Sequence, residues 1–142
     1  MNNFSLVIPL YNEAQNIEKL LKEILLSLEE CHDYEIIFVN DCSEDKTKNI
    51  LEILKTKHSK IKIINNTRNL GQSHSIFNGI RKAKYKLIVT LDGDCQNNPK
   101  DIPSIVKKYS EYEDIFLVGG IRSKRKDTFI KIYSSYLANL IR

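Results

Sequence analysis

Cysteines are few, no apolar run is long, and no repeat, low-complexity tract or linker interrupts the chain; each of these absences excludes something. Cys31, Cys42 and Cys95 are odd in number and lack CxxC spacing. They indicate neither a disulfide framework nor a zinc site, and reduced thiols of an intracellular protein are the expectation. The opening stretch MNNFSLVIPLYNEA has no basic region followed by a long apolar one, and no window approaches membrane-spanning length, so a soluble chain is expected. Aromatic and basic residues do not interleave across any stretch, so nucleic acid is not an expected partner.

At 142 residues the chain is long enough for one domain with its own core. Its formal charge of +4 is unevenly placed. Arg122, Lys124, Arg125, Lys126 and Lys131 outweigh Asp127, Arg142 adds another cation, and the remainder is close to neutral. A local basic patch of this kind suits a phosphate group or an anionic membrane surface, with a solvated basic loop as the plain alternative.

Apolar patterning alternates between short β-branched runs and helical stripes. Phe4 to Pro9 reads as a first strand, and Asn12 with Gln15 has the spacing of a capping box opening a helix. Ile17, Leu20, Leu21, Ile24, Leu25 and Leu28 then recur at helical spacing and predict one apolar face. Tyr34 to Val39 is a second buried strand. Ser43, Asp45 and Thr47 start a helix expected to carry Ile50, Leu51, Ile53 and Leu54 inward. A third strand covers Ile61 to Ile64, and the helix after NNTRNLGQ is expected to bury Ile76, Phe77 and Ile80. Lys86 to Leu91 predicts a buried central strand, Ile102, Ile105, Val106 and Tyr109 a helix behind Pro99, and Ile115 to Val118 a fifth strand. Phe129, Tyr133, Tyr136, Leu137, Leu140 and Ile141 form the stripe of a last amphipathic helix, which after a basic segment suits a membrane interface or a packing partner. This is a βαβ progression, and it predicts an α/β protein with a mostly parallel sheet covered on both faces.

Polar clusters fall at the strand ends: Tyr11 to Glu13, Asn40 to Asp45, Arg68 to Gln72, and Asp92 to Gln96. In a parallel sheet these ends share one edge, so the clusters are expected to converge on one crevice. Asp92 and Asp94 with the amide oxygen of Gln96 make an oxygen-only set suited to Mg²⁺ or Mn²⁺, with positions left for phosphate oxygens. Tyr11 is placed to stack on a planar base, and Glu13 and Asp41 to accept hydrogen bonds from base or ribose. Taken singly, each has a plainer reading: a strand-end aromatic, a residue offsetting the helix dipole, an N-cap, or a polar turn capped by Asn97 or Asn98.

VIPLYNE, VNDCSEDKT, RNLGQS, TLDGDCQNNP and VGGIRSKR, in that order, resemble the inverting family 2 glycosyltransferases of the GT-A fold. Within that family the chain is most similar to the polyprenyl-phosphate glycosyltransferases. The resemblance implies a Rossmann-like nucleotide-diphospho-sugar transferase fold over residues 1–142, with 122–142 as a basic segment and amphipathic helix opening the acceptor and membrane side. It implies that Pro9, Tyr11, Glu13, Val39, Asp41, Asp92, Gly93 and Arg122 contact a UDP- or GDP-sugar. It also implies that Asp94, Gln96 and Asp92 hold the cation, with Asp92 and Asp94 as the carboxylates serving catalysis, and that Arg125, Ser135 and Asn139 face the acceptor. The implied reaction moves a sugar to undecaprenyl or dolichyl phosphate at the cytoplasmic face of the membrane, for cell-envelope glycan or glycolipid synthesis.

Two positions depart from the family pattern: Asn40 stands where a paired aspartate is usual, and Cys42 where a glycine is common. Cys42 and Cys95 read as small buried thiols with no redox or nucleophilic role. A nucleotidyltransferase is disfavoured because PLYNE is not a glycine-rich basic phosphate loop. Family members continue past the point matching Arg142, so the expectation is a chain truncated at its C-terminus. The alternative reading is a catalytically incomplete nucleotide-sugar-binding module or fragment that works only with a partner chain; a homo-oligomer or a partner chain is the assembly considered.

Overall fold

The computed structural model describes residues 3–111 and 118–119. Its elements alternate as the apolar pattern requires: β1 (Phe4–Leu10), α1 (Ile17–Ser27), β2 (Tyr34–Asn40), α2 (Thr47–Lys57), β3 (Ile61–Asn65), α3 (Gln72–Arg81), β4 (Leu87–Thr90), a 3-10 turn (Pro99–Asp101) and α4 (Ile102–Ser110). The strands form a four-stranded sheet in the order β3-β2-β1-β4. Every pairing is parallel, with Phe4 opposite Tyr34 on one side of β1 and Leu87 on the other. The chain steps outward from β1 to β3, then returns to the far side of β1. The strand order thus reverses at β1, and a crevice opens beyond the carboxyl ends of the strands there.

Strand alternation sends side chains to two faces. Phe4, Leu6, Ile8 and Leu10 join Ile36, Phe38, Ile61 and Val89 in the larger core, which α1, α2 and α4 close with Leu20, Ile24, Leu51, Leu54, Ile102 and Val106. Val7, Ile37 and Val39 face the other way and are covered from the α3 side. Both faces are covered, and the α1 stripe is buried as its spacing predicts, with Leu25 partly so.

Four expectations need correction. Asn12 and Gln15 form no capping box: α1 starts at Ile17 with no side-chain cap, and Asn12 adopts φ 55°. Ile53 is 54% exposed, because the inward stripe of α2 is Thr47, Leu51 and Leu54, and one residue of offset turns a helical side chain well away from its neighbour. On α3 the buried positions are Ser75 and Gly79, while Phe77 and Ile80 are 53% and 43% exposed and Ile76 is half-buried. The small residues bring the helix close to Val7 and Val39 and so decide which face turns inward. Lastly, β4, expected to be a buried central strand, is an edge strand among the described residues, with only Val89 buried along its length. The expected fifth strand, except Val118, and the helix from Thr128 lie outside the described residues, as do Arg122, Arg125, Ser135 and Asn139.

At the sheet edge opposite the crevice, Glu35 fastens several segments. Its Oε1 accepts from Ser5 Oγ at 2.6 Å and from Lys84 N–H, and its Oε2 lies 2.6 Å from Lys62 Nζ. Ser5 Oγ in turn accepts from Tyr85 N–H at 3.1 Å, so β1, β2, β3 and the entry to β4 are tied at one buried carboxylate.

Candidate functional site

The loop after β1 is stitched to the loop after β2. Asn12 N–H donates to Ser43 Oγ at 3.0 Å, Glu44 N–H to Asn12 Oδ1 at 2.8 Å, Glu13 N–H to Thr47 Oγ1 at 3.0 Å and Ala14 N–H to Asp45 Oδ2 at 3.1 Å. Ser43, Asp45 and Thr47 thus hold the first loop; α2 starts at Thr47, where Asp45 Oδ1 accepts from Thr47 N–H at 2.9 Å, while Ser43, expected to help start the helix, instead bonds Asn12 and Asn40. Glu13 accepts from Asn16 Nδ2 at 2.6 Å.

Asp41 is 4% exposed and organises the turn between β3 and α3. Its Oδ1 accepts from Asn66 Nδ2 at 2.6 Å and Leu70 N–H at 3.0 Å, and its Oδ2 from Gly71 N–H at 2.7 Å and Leu70 N–H at 3.2 Å. Asn66 is itself held by Asn78 Nδ2 at 2.9 Å and shares its own amide with Ser75 Oγ at 3.0 Å. Gly71 sits at φ 84°, where a side chain is strained, so glycine permits the turn whose N–H groups reach Asp41. Three other left-handed residues, Asn12, Cys42 and Cys95 at φ 55°, 59° and 58°, also stand in loops beyond strand ends. Such backbone costs an ordinary residue about 1–2 kcal/mol and concentrates at functional sites.

Beyond β4, Gly93 is placed by contact: a Cβ there would lie 2.3 Å from Leu10 Cδ2 and 3.2 Å from Pro9 O. Asp92 accepts from Gln72 Nε2 at 2.6 Å and from Asn97 Nδ2 at 3.0 Å, one on each oxygen. The exposed Asp94 accepts from Gln96 N–H at 3.0 Å. Asn98 caps the following 3-10 turn, accepting from Lys100 N–H at 3.2 Å.

These groups converge on a cavity of about 350 Å³ lined by Pro9, Tyr11, Glu13, Asp41, Gly93 and Asp94, with Asp92, Asn69, Gln72 and Ser75 completing the wall. That volume lies in the range of about 300–1,000 Å³ usual for small-molecule sites. Tyr11 is 43% exposed, leaving its ring open to a stacking partner. Val39 is not brought there: its side chain is fully buried against Gly79 under α3. Gln96 is exposed and lines no part of the cavity; its backbone, not its amide, meets Asp94. Asn69 and Gln72 are legible as part of RNLGQS, a motif that signals a loop without saying which side chains turn inward; Ser75, two residues beyond it, carries no signal in the sequence.

Among the described residues, no three His, Cys, Asp or Glu side chains group closely enough to cage a cation. Two carboxylates on one cavity wall still fit a hard divalent ion, which typically takes one or two carboxylates and fills its shell with substrate phosphates and water. Burial alone would raise the pKa of Asp41, but hydrogen bonds from Asn66, Leu70 and Gly71 outweigh it and hold the carboxyl below its ordinary range. Asp45 is lowered in the same manner by Thr47 and Ala14, and Glu35 by Lys62, Ser5 and Lys84. Cys42 and Cys95, expected to be buried, are half-buried, because their left-handed backbone places them in loops beyond strand ends; burial still raises the pKa of Cys95.

The three depressed carboxyls make acid stability a test of this geometry. A folded pKa below the unfolded one contributes stability that is complete above the unfolded value and lost as pH falls through the folded one. Urea midpoints are therefore expected to hold from pH 7 to 5 and to fall below about pH 4, where unfolded carboxylates take up protons. Midpoints that stay level down to pH 3 would contradict it.

The glycosyl transferase family 2 model matches residues 5–140. The chain is 34% identical over 139 residues to dodecaprenyl-phosphate galacturonate synthase of Rhizobium johnstonii, covering 96% of this chain and 41% of that protein. It is 37% identical over 138 residues to the undecaprenyl-phosphate 4-deoxy-4-formamido-L-arabinose transferase of Shewanella sediminis, covering 95% and 41%. The chain thus spans about two fifths of the length of these relatives. Among solved structures, the fold is similar to that of the mannosyltransferase PcManGT from Pyrobaculum calidifontis in complex with GDP-Man and Mn²⁺, with a TM-score of 0.69 at 22% identity over 80% of this chain and 33% of that one. It is also similar to that of S. aureus TarS 1-349 in complex with UDP-GlcNAc, with a TM-score of 0.67 at 22% identity over 89% and 39%. With the parallel sheet, the switch-point cavity and a family match across nearly the whole sequence, this chain belongs to glycosyl transferase family 2 and has the GT-A type of α/β fold.

Proposed function

We propose that this chain is the donor-binding domain of a metal-dependent inverting glycosyltransferase that moves a sugar from a nucleoside-diphosphate sugar to a polyprenyl phosphate, working at the cytoplasmic face of a membrane. The observation that carries the reading is the convergence of Tyr11, Glu13, Asp41, Gly93, Asp92 and Asp94 on one cavity at the switch point. Relatives named as polyprenyl-phosphate sugar transferases supply the acceptor class.

In this reading Tyr11 stacks on the base, Glu13 takes a hydrogen bond from the nucleoside, and Gly93, seated against Leu10 and Pro9, sets Asp92 and Asp94 beside the diphosphate. Asp94 and Asp92 hold Mg²⁺ or Mn²⁺, which when bound offsets the charge of the departing diphosphate. An oxygen of the lipid phosphate forms the new bond to the anomeric carbon from the face opposite the leaving group. As the bond to the diphosphate oxygen breaks, its electron pair leaves with the nucleoside diphosphate, and the configuration inverts. A sugar hydroxyl would need a base to take its proton. A phosphate monoester, with a second pKa of about 6, is already anionic near neutral pH. Positioning and charge neutralisation are therefore the work left to the protein, and Arg122 and Arg125 are assigned to the phosphates, with Ser135 and Asn139 on the acceptor side.

Calorimetric titration with UDP and GDP, with and without Mn²⁺, tests the donor site. Binding is expected to require the ion and to weaken about tenfold or more in Asp94→Ala, in line with the loss of a charged ligand. Binding that is unchanged in Asp94→Ala, or binding to neither nucleotide, would defeat the reading.

A further inference from the structure

Five large apolar side chains stay exposed among the described residues. Tyr11 lines the cavity, and the other four divide between the two sides of the sheet: Leu26 and Ile53 on α1 and α2, Phe77 and Ile80 on α3. The two sides differ in shape. Leu26, 63% exposed, lines a groove of about 450 Å³ between α1 and α2 with Leu21, Leu25 and Leu54. Two carboxylates, Glu18 and Glu29, stand in its wall beside Lys22 and His58. Phe77 instead stands out from α3. His74 lies edge-on to its ring with centroids 6.3 Å apart, and the Arg81 guanidinium lies 5.8 Å from the ring centroid, so residues one turn before and one turn after hold it in place.

Charge divides in the same sense. From Ile17 to Asp33, α1 and the turn after it, five carboxylates stand against two lysines. From Gln72 to Leu91, α3 and the run through β4, four lysines and arginines stand against no carboxylate. Arg81, Lys82, Lys84 and Lys86 are all exposed. An isologous two-fold contact would set either side against its own charge, since it uses the same patch on both partners. An anionic membrane suits only the α3 side and leaves the groove uncovered.

We propose that the two sides fit each other: Phe77 and Ile80 of one copy of this chain seat in the α1–α2 groove of a second copy, with Arg81 and Lys82 facing Glu18 and Glu29. Aromatic and arginine side chains are enriched at the centres of protein interfaces, and complementary charge sets register. The contact is head-to-tail, so copies close into a ring or extend as a stack, as the rotation between them dictates. Neither patch lines the cavity at the strand ends, so the fit is independent of the donor-site reading.

Sedimentation velocity on two variants at exposed positions tests the fit. Phe77→Glu spoils the protruding side and leaves the groove, whereas Leu26→Lys spoils the groove and leaves Phe77. The unsubstituted chain is expected to gain mass as its concentration rises and to lose it in high salt, which screens the flanking charges. Each variant alone is expected to associate about thirtyfold more weakly or worse, the loss of an interfacial anchor, and to sediment as a monomer. Mixed in equal amounts, the intact Phe77 of one variant meets the intact groove of the other, and a species of two chains forms that grows no further. A mixture that stays monomeric overturns the head-to-tail contact. So does an unsubstituted chain that is monomeric at every concentration, or a single variant that keeps the parent's mass. Recruitment of the unsubstituted chain to phosphatidylserine vesicles, lost in Phe77→Glu and without any gain of mass in solution, also overturns it and gives α3 to a membrane. Should Phe77→Glu fail to fold, Arg81→Glu takes its place, alone and in the mixture.

Discussion

Gly79→Ala is expected to destabilise the protein by about 2–3 kcal/mol, the upper part of the range for forcing an extra methyl into a packed core. A Cβ at this position would lie 2.4 Å from Val7 Cγ1, 3.2 Å from Val39 Cγ2 and 3.3 Å from Val7 Cγ2. None of these atoms can step aside easily. Val7 and Val39 are fully buried β-branched residues on neighbouring central strands, with one preferred rotamer each and no empty space to swing into. The helix would have to lift, and Ser75 and Asn78, which hold Asn66 below Asp41, would lift with it. The ordinary helix propensity of alanine over glycine, about 1 kcal/mol in favour of the substitution, is outweighed. Urea unfolding measures the loss. Val7→Ala in the same chain should recover part of it, giving a coupling of about 1–2 kcal/mol, whereas simple additivity would show that the helix accommodates the methyl elsewhere.

Glu35→Ala carries an expectation of about 3 kcal/mol, for a different reason. The ion pair with Lys62 contributes modestly, since the lysine side chain is 51% exposed and can return to water. The greater cost lies in what the carboxylate leaves behind: the fully buried Ser5 hydroxyl and the Lys84 N–H lose their acceptor. A buried polar group stripped of its partner costs about 1–3 kcal/mol. Lys62→Ala should therefore cost clearly less than Glu35→Ala, and the order of the two unfolding midpoints checks the argument. Equal losses would put the energy in the ion pair instead. Much of the acid sensitivity should also disappear in Glu35→Ala, because the depressed carboxyl at this edge is gone. At the crevice edge, Asp41 and Asp45 would retain their share.

Both effects arise from residues that hold the sheet and its covering helix in register, and both bear on the site at a distance. Gly79 sets how closely α3 lies on β1 and β2, and α3 begins with the Gln72 that reaches Asp92. Glu35 fixes the entry to β4, and β4 ends three residues before Gly93, where a Cβ would meet Leu10 and Pro9. A cavity built from strand ends inherits the precision of the strands.

The sequence by itself determined the alternation of strands and helices, the parallel sheet and the gathering of strand-end clusters at one edge. Each follows from local periodicity and from the rule that parallel strands end together. It also determined the family, because five motifs in order are a property of the chain and not of its packing. Tertiary structure alone decided which side chains those motifs turn inward. Ile53, Phe77 and Ile80 are apolar, and hydrophobicity gives no means of knowing that Ser75 and Gly79 would take the inner face of α3. That choice depends on two valines from other strands, which leave room for a backbone and none for a side chain. Asp41 also anchors the turn after β3, a role that shows only once Asn66, Leu70 and Gly71, distant in sequence, are seen to donate to its oxygens. Hydrogen bonds across 25 to 30 residues are invisible to local pattern, and they are what turn a row of polar clusters into a site.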